Sequence, residues 1–265
     1  MLLDKIISLM SYLTLAFLVL VPAEGAPIDE EVKQLPGFDG ELPSKHYAGY
    51  ITVGDHAYKR YLYYYFATSE RNPLEDPVTL WINGGPDCAG LDALLRLIGP
   101  FKLEPNLVHS NGQPKVRKNP YSWTNIIVVD SPAGTGYSYT DTTDYTTNDT
   151  WTVSDLYEFV IKWFSEYPKF LPNPFYLSGC AHRGVLVPVL AQEVVKGIES
   201  DKGPKLNFKG YSLGNAALNL DIESSAKVPF VHRMGLIPDK QYEISTLIWL
   251  THAKENILAT VTLIA

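Results

Sequence analysis

The hydrophobic pattern of the chain alternates between two kinds of segment. Short continuous apolar runs occur at Val78–Ile82 (VTLWI), at Ile126–Val129 (IIVV) and from Phe175 to Leu177, and Tyr61–Thr68 (YLYYYFAT) is rich in β-forming aromatics. The first two runs stop at turn signals, Asn83-Gly84-Gly85-Pro86 and Asp130-Ser131-Pro132. Between the runs lie stretches with helical spacing. Val153, Leu156, Tyr157, Val160, Phe164 and Tyr167 keep that period until Pro168 stops it. Val185 to Glu199 is a second amphipathic stretch, in which Pro188 is tolerated only if the helix begins near Arg183. Lys205–Leu213 reads as a fourth strand, closed by Gly214-Asn215. Continuous apolar strands that alternate with helices predict an α/β fold with a mostly parallel central sheet and helices on both faces.

The first residues depart from this pattern. Lys5 precedes the apolar run Ile6 to Val21, which ends at Pro22-Ala23-Glu24-Gly25. The run is shorter than the roughly 20 residues of a membrane span. Small residues at Ala23 and Gly25 fit a cleavage site, so residues 1–25 are expected to be a signal peptide and the mature chain to start near Ala26. The expected route is the secretory pathway, with secretion as the destination, the vacuole as the alternative, and no membrane association after cleavage.

Composition adds a few constraints. Seventeen tyrosines against three methionines point to a rigid, sheet-rich interior. The net charge is −7 without a basic patch, which argues against nucleic acid as a partner. An exported chain can form disulfides, but Cys88 and Cys180 allow one internal bridge at most. Asn148-Asp149-Thr150 is an N-glycosylation sequon within the polar run DTTDYTTNDT. The six histidines show no metal-binding spacing, so neither a metal nor another cofactor is expected. Gly134-Thr135-Gly136 has no third glycine, and Tyr137-Ser138 would crowd a pyrophosphate, which argues against a dinucleotide loop.

Ligands of parallel sheets gather at the carboxyl ends of the strands. Three turns are expected there: NGGPDCAG (83–90), DSPAGTGYSY (130–139) and SGCAHRGV (178–185). Together with LPGFDGELPSKHYAGYITV (35–53), NPFYLSGCAHRGVLVPVLAQEVV (173–195), NFKGYSLGNAALN (207–219) and VPFVHRMGLIPDKQYE (228–243), they resemble the serine carboxypeptidase family, above all its plant-type members. The resemblance implies an α/β-hydrolase that releases C-terminal residues from peptides, with acyl transfer in some relatives. It also implies a Ser–Asp–His triad whose serine stands on a strand–turn–helix elbow.

Position by position, the elbow serine falls on Ala181, which has no hydroxyl and cannot form an acyl-enzyme. The family glutamate that helps to hold the substrate carboxylate falls on Cys180, its tyrosine on His182, and a small residue on Arg183. Asn83 and Gly84 keep the other carboxylate-binding positions, and the backbone of Gly85 and His182 the oxyanion hole, whereas Asp87 and Ala89 depart from the family pattern. Family members are longer. The blocks end near Glu243, residues 244–265 match no family segment, and the later part that would carry the triad Asp and His, and the disulfide partner of Cys88, is not among them.

Residues 26–243 are therefore expected to be the N-terminal portion of a serine carboxypeptidase-like domain without a working triad. Two alternatives stand beside this: a secreted protein that uses the remnant cleft to hold peptide C-termini or a partner, and an active hydrolase or acyltransferase. In the second, Cys180 would need a base or cation such as His182 or Arg183, and its sulfur would face a different wall from the apex side chain.

Overall fold

The computed structural model describes residues 30–247, apart from 55–58, 86–87, 110 and 202. The signal-peptide reading of residues 1–25 and most of the segment 244–265 thus lie outside the described residues. Two compact units divide between Ala216 and Ala217.

The first unit is built on one sheet. Its strands are β1 (Glu31–Val32), β2 (His46–Val53), β3 (Arg60–Ala67), β4 (Val78–Ile82), β7 (Asn125–Val129), β8 (Tyr139–Thr140), β9 (Phe175–Cys180) and β10 (Phe208–Gly214). They lie in the order β1-β2-β3-β7-β4-β9-β10, with β8 beside β3. The pairings β7–β4, β4–β9 and β9–β10 are parallel, while β1–β2, β2–β3 and β3–β7 are antiparallel. The centre is thus parallel, as the alternating pattern predicts, and the N-terminal strands add an antiparallel flank. Strands β5 (Phe101–Val108) and β6 (Pro114–Lys118) form a separate antiparallel pair.

The continuous apolar runs are explained by burial on both faces. Every residue of β4 and of β7 is buried. Val78, Leu80, Ile82, Ile127 and Val129 join Leu62, Tyr64 and Phe66 in the larger core. That core is covered by α2 (Asp149–Glu166) and α3 (Arg183–Glu199), through Val153, Leu156, Phe159, Val160 and Trp163 on one helix and Leu186, Val187, Leu190 and Val194 on the other. Trp163 stands edge-on to Phe66 at 5.0 Å and stacks on Tyr167 at 4.6 Å, packing that adds to simple burial. The alternate residues Tyr65, Trp81, Ile126 and Val128 form a smaller core on the opposite face with Ala93 and Leu94 of α1 (Gly90–Arg96). Helices therefore cover both faces. Helix α3 starts at Arg183, the condition that Pro188 imposes.

In the second unit, α4 (Leu220–Arg233) is capped by Asn219, whose side chain accepts the N–H of Ile222 at 3.0 Å. A further helical stretch begins at 239.

Candidate active site

Strands β7, β4 and β9 are adjacent and parallel, so the turns after Val129, Ile82 and Cys180 emerge side by side. The turn after β9 is a strand–turn–helix elbow. Its apex is Ala181, at φ 50°, the left-handed region that costs a residue with a Cβ about 1–2 kcal/mol. Two hydrogen bonds hold that conformation: the Ala181 N–H donates to Gly214 O at 3.1 Å, and the Gly184 N–H donates to Ala181 O at 3.0 Å. The Ala181 side chain is exposed. The loop after β4 lies against it. A Cβ on Gly84 would stand 2.9 Å from the Ala181 methyl and 2.9 Å from Cys180 O, so only glycine permits this approach.

Asn83 is buried and its amide is engaged. Nδ2 donates to Ala89 O at 3.0 Å, while Oδ1 receives Trp81 Nε1 at 3.4 Å and the half-buried Cys180 Sγ at 3.6 Å. Cys88 is exposed at the far end of the same loop. Among the described residues, no acceptor takes the backbone N–H of Gly85 or of His182, the two groups that the family resemblance assigns to an oxyanion hole. His182 itself is half-buried, and its Nδ1 is buried without a partner.

Two further residues tie the turns together. Arg183 is 1% exposed; its Nε donates to Asn83 O at 3.0 Å and its Nη2 to Ser131 O at 2.6 Å. The sequence marks Arg183 as too large for a position where helix and strand must approach. In the structure its guanidinium runs to the ends of β4 and β7, and the approach is met at Gly179, where an added Cβ would stand 3.1 Å from Arg183 Cβ. Asp130, also 1% exposed, accepts the Gly90 N–H on Oδ1 at 2.6 Å and the Tyr137 N–H on Oδ2 at 2.9 Å. Burial pushes its carboxyl above the ordinary value of 3.8, against the opposing pull of those backbone N–H groups. A Cβ on Gly136, at φ 53°, would stand 2.0 Å from Asp130 Oδ2, which accounts for the second glycine of the Gly-Thr-Gly turn without any phosphate. Neither Arg183 nor Asp130 stood out in the sequence as a cross-link, because the carbonyls and amides they reach come from turns far away in the chain.

Asn148 is exposed at the start of α2, where its side chain accepts the Trp151 N–H at 2.9 Å. Among the described residues there is no group of three or more His, Cys, Asp or Glu that could hold a metal ion, and no helix long and apolar enough to cross a membrane.

An elbow facing a glycine-rich loop at the carboxyl ends of parallel central strands defines an α/β-hydrolase. The serine carboxypeptidase family model matches residues 36–257, past the last block legible at Glu243, and this chain belongs to that family. It is 49% identical to serine carboxypeptidase 1 of Hordeum vulgare over 226 residues, which cover 82% of this chain and 44% of that protein. Serine carboxypeptidase-like 21 of Arabidopsis thaliana is 47% identical over 229 residues, 85% of this chain and 46% of the relative. The chain thus spans less than half the length of these two plant relatives. The fold matches the crystal structure of Kex1(delta)p, a prohormone-processing carboxypeptidase from Saccharomyces cerevisiae, with a TM-score of 0.72 and 22% identity, over 89% of this chain and 53% of that one.

Proposed function

We propose that this is a serine carboxypeptidase-like protein that carries out no acyl transfer at its elbow. The observation that carries the reading is Ala181. The backbone holds the left-handed conformation of a nucleophile apex, and the side chain it presents is a methyl group. A methyl group has no lone pair to attack a carbonyl and no proton to pass to a base, so neither hydrolysis nor acyl transfer can begin there. The neighbouring thiol is no substitute, since the Cys180 sulfur lies toward the Asn83 amide rather than at the apex.

A second reading, retention of peptide C-termini without cleavage, is favoured by the Gly85 and His182 N–H groups beside Ala181, which have no acceptor among the described residues. Backbone N–H groups fixed in a turn can hold a carboxylate as readily as an oxyanion. In that case the backbone would hold the anion, because Asn83 is buried with its amide committed to Ala89.

The test is incubation of the secreted chain with blocked dipeptides at mildly acidic pH, with release of the C-terminal residue followed by mass spectrometry and binding followed by calorimetry. The expected result is no release; saturable binding that needs a free C-terminal carboxylate would support the second reading. Turnover that disappears in Cys180→Ala would overturn the proposal and make the thiol the nucleophile.

A further inference from the structure

A cavity separate from the elbow lies beside the first turns of α2. Its volume is about 800 Å3, within the range of about 300–1,000 Å3 typical of small-ligand sites. Its lining includes Tyr145, Trp151, Thr140, Thr147 and the ion-paired Arg60 and Asp155; the Thr140 hydroxyl donates to Lys59 O at 2.8 Å and remains an acceptor. Arg60 Nε and Nη2 reach the two carboxylate oxygens of Asp155 at 2.6 Å each. Tyr145 is 48% and Trp151 51% exposed, so both rings offer surface to a ligand. Aromatic rings among hydroxyls and a charged pair suit a sugar, which presents a face of C–H groups to a ring and a rim of hydroxyls to polar neighbours.

The sequence supplies the sugar's point of attachment. Asn148-Asp149-Thr150 is a glycosylation sequon, and Asn148 precedes Trp151, Asp155 and Glu158 by three, seven and ten residues. Asn148 follows the lining residue Thr147 directly, and its side chain bonds the backbone N–H of Trp151, another lining residue, so it stands at the edge of the cavity. Its Oδ1 accepts the Trp151 N–H and thereby caps the helix, while Nδ2, the atom that glycosylation uses, takes no part in that bond. A glycan would therefore leave the cap intact.

We propose that Asn148 carries an N-linked glycan whose first sugar folds back into this cavity, with its C–H face on Trp151 and its hydroxyls toward Thr140, Thr147 and the Arg60–Asp155 pair. Attachment forms a bond from Nδ2 to the anomeric carbon of a lipid-pyrophosphate-linked oligosaccharide. The bond from that carbon to the pyrophosphate oxygen breaks, and the lost amide proton leaves with the pyrophosphate. The inference does not depend on the reading of the elbow.

The full chain, secreted from a eukaryotic host, would be examined for modification at Asn148 by peptide mass spectrometry. Enzymatic release of the glycan would then be timed on native and on heat-denatured protein. Native wild type is expected to release it about tenfold more slowly than Trp151→Ala, with Trp151→Phe still slow because it keeps a ring. All three should be equal after denaturation. If Trp151→Ala is not secreted, Tyr145→Ala gives the same comparison from the loop. An unmodified Asn148, or equal native rates in wild type and the ring-deleted variant, would overturn the proposal.

Discussion

The turns after β7 and β9 flank the β4 turn at the same end of the sheet, and each is tied to its neighbours by one buried ionisable side chain, the two being of opposite sign. After β7, the Asp130 carboxylate gathers the N–H groups of Gly90 and Tyr137. After β9, the Arg183 guanidinium donates to the carbonyls of Asn83 and Ser131. The difference lies at the apex. Gly136 is fixed by collision, since any side chain there would enter the Asp130 carboxylate. Ala181 is held by backbone hydrogen bonds, and its side chain is exposed beside the Gly84 loop. The fold therefore dictates the residues of the first turn and leaves the apex of the second open. The backbone of the elbow thus does not depend on which side chain its apex presents.

The largest effect that would break this contrast comes from Asp130→Ala, which strands the buried Gly90 N–H and the part-buried Tyr137 N–H that now bond to a carboxylate. Urea denaturation should show a loss of about 3–4 kcal/mol. Gly136→Ala should cost about 2–3 kcal/mol in the wild type and about 1 kcal/mol less once Asp130 is alanine, because the collision is then gone. Strict additivity would mean that the carboxylate does not dictate the glycine.

Arg183→Met, which keeps length and drops the donors, should cost about 2 kcal/mol. The two turns should also differ in their response to pH. Burial raises the Asp130 carboxyl above 3.8, so the folded chain holds that proton more readily than the unfolded chain. Stability from this group is full below its unfolded value and is lost as pH climbs through the folded one. Wild type should therefore lose stability relative to Asp130→Asn as pH rises from about 4, whereas its difference from Arg183→Met should stay flat, because the guanidinium does not titrate. A flat difference at Asp130 would remove that part of the contrast.

The smallest effect is expected at the elbow apex. Ala181→Gly relieves a left-handed alanine but adds freedom to the unfolded chain, and should stabilise by about 0.5 kcal/mol. A marked loss of stability would mean that the methyl is packed rather than merely exposed.

Much of this architecture is legible in the sequence. The run VTLWI, bounded by a proline and by Asn-Gly-Gly, is β4 residue for residue, because a strand buried on both faces is apolar at both ends and stops where the turn residues begin. Helix α2 begins at Asp149, earlier than the apolar pattern from Val153, because its first turn is set by the Asn148 cap rather than by hydrophobic spacing. The β5–β6 pair was not legible, since PKVRK is charged and mostly exposed and has no period to distinguish it from a loop. The elbow was recognisable from its flanks. The fate of Arg183 was not, because its two acceptors lie about 50 and 100 residues earlier and converge only when three strands align.

The most direct test of the Ala181 reading is covalent trapping on the full chain. A fluorophosphonate, which phosphonylates activated serines, would be applied to wild type and the mass followed. The account predicts no adduct, with Ala181 unable to accept one. One equivalent of phosphonate on the wild-type chain, mapped to the β9–α3 turn, would contradict it.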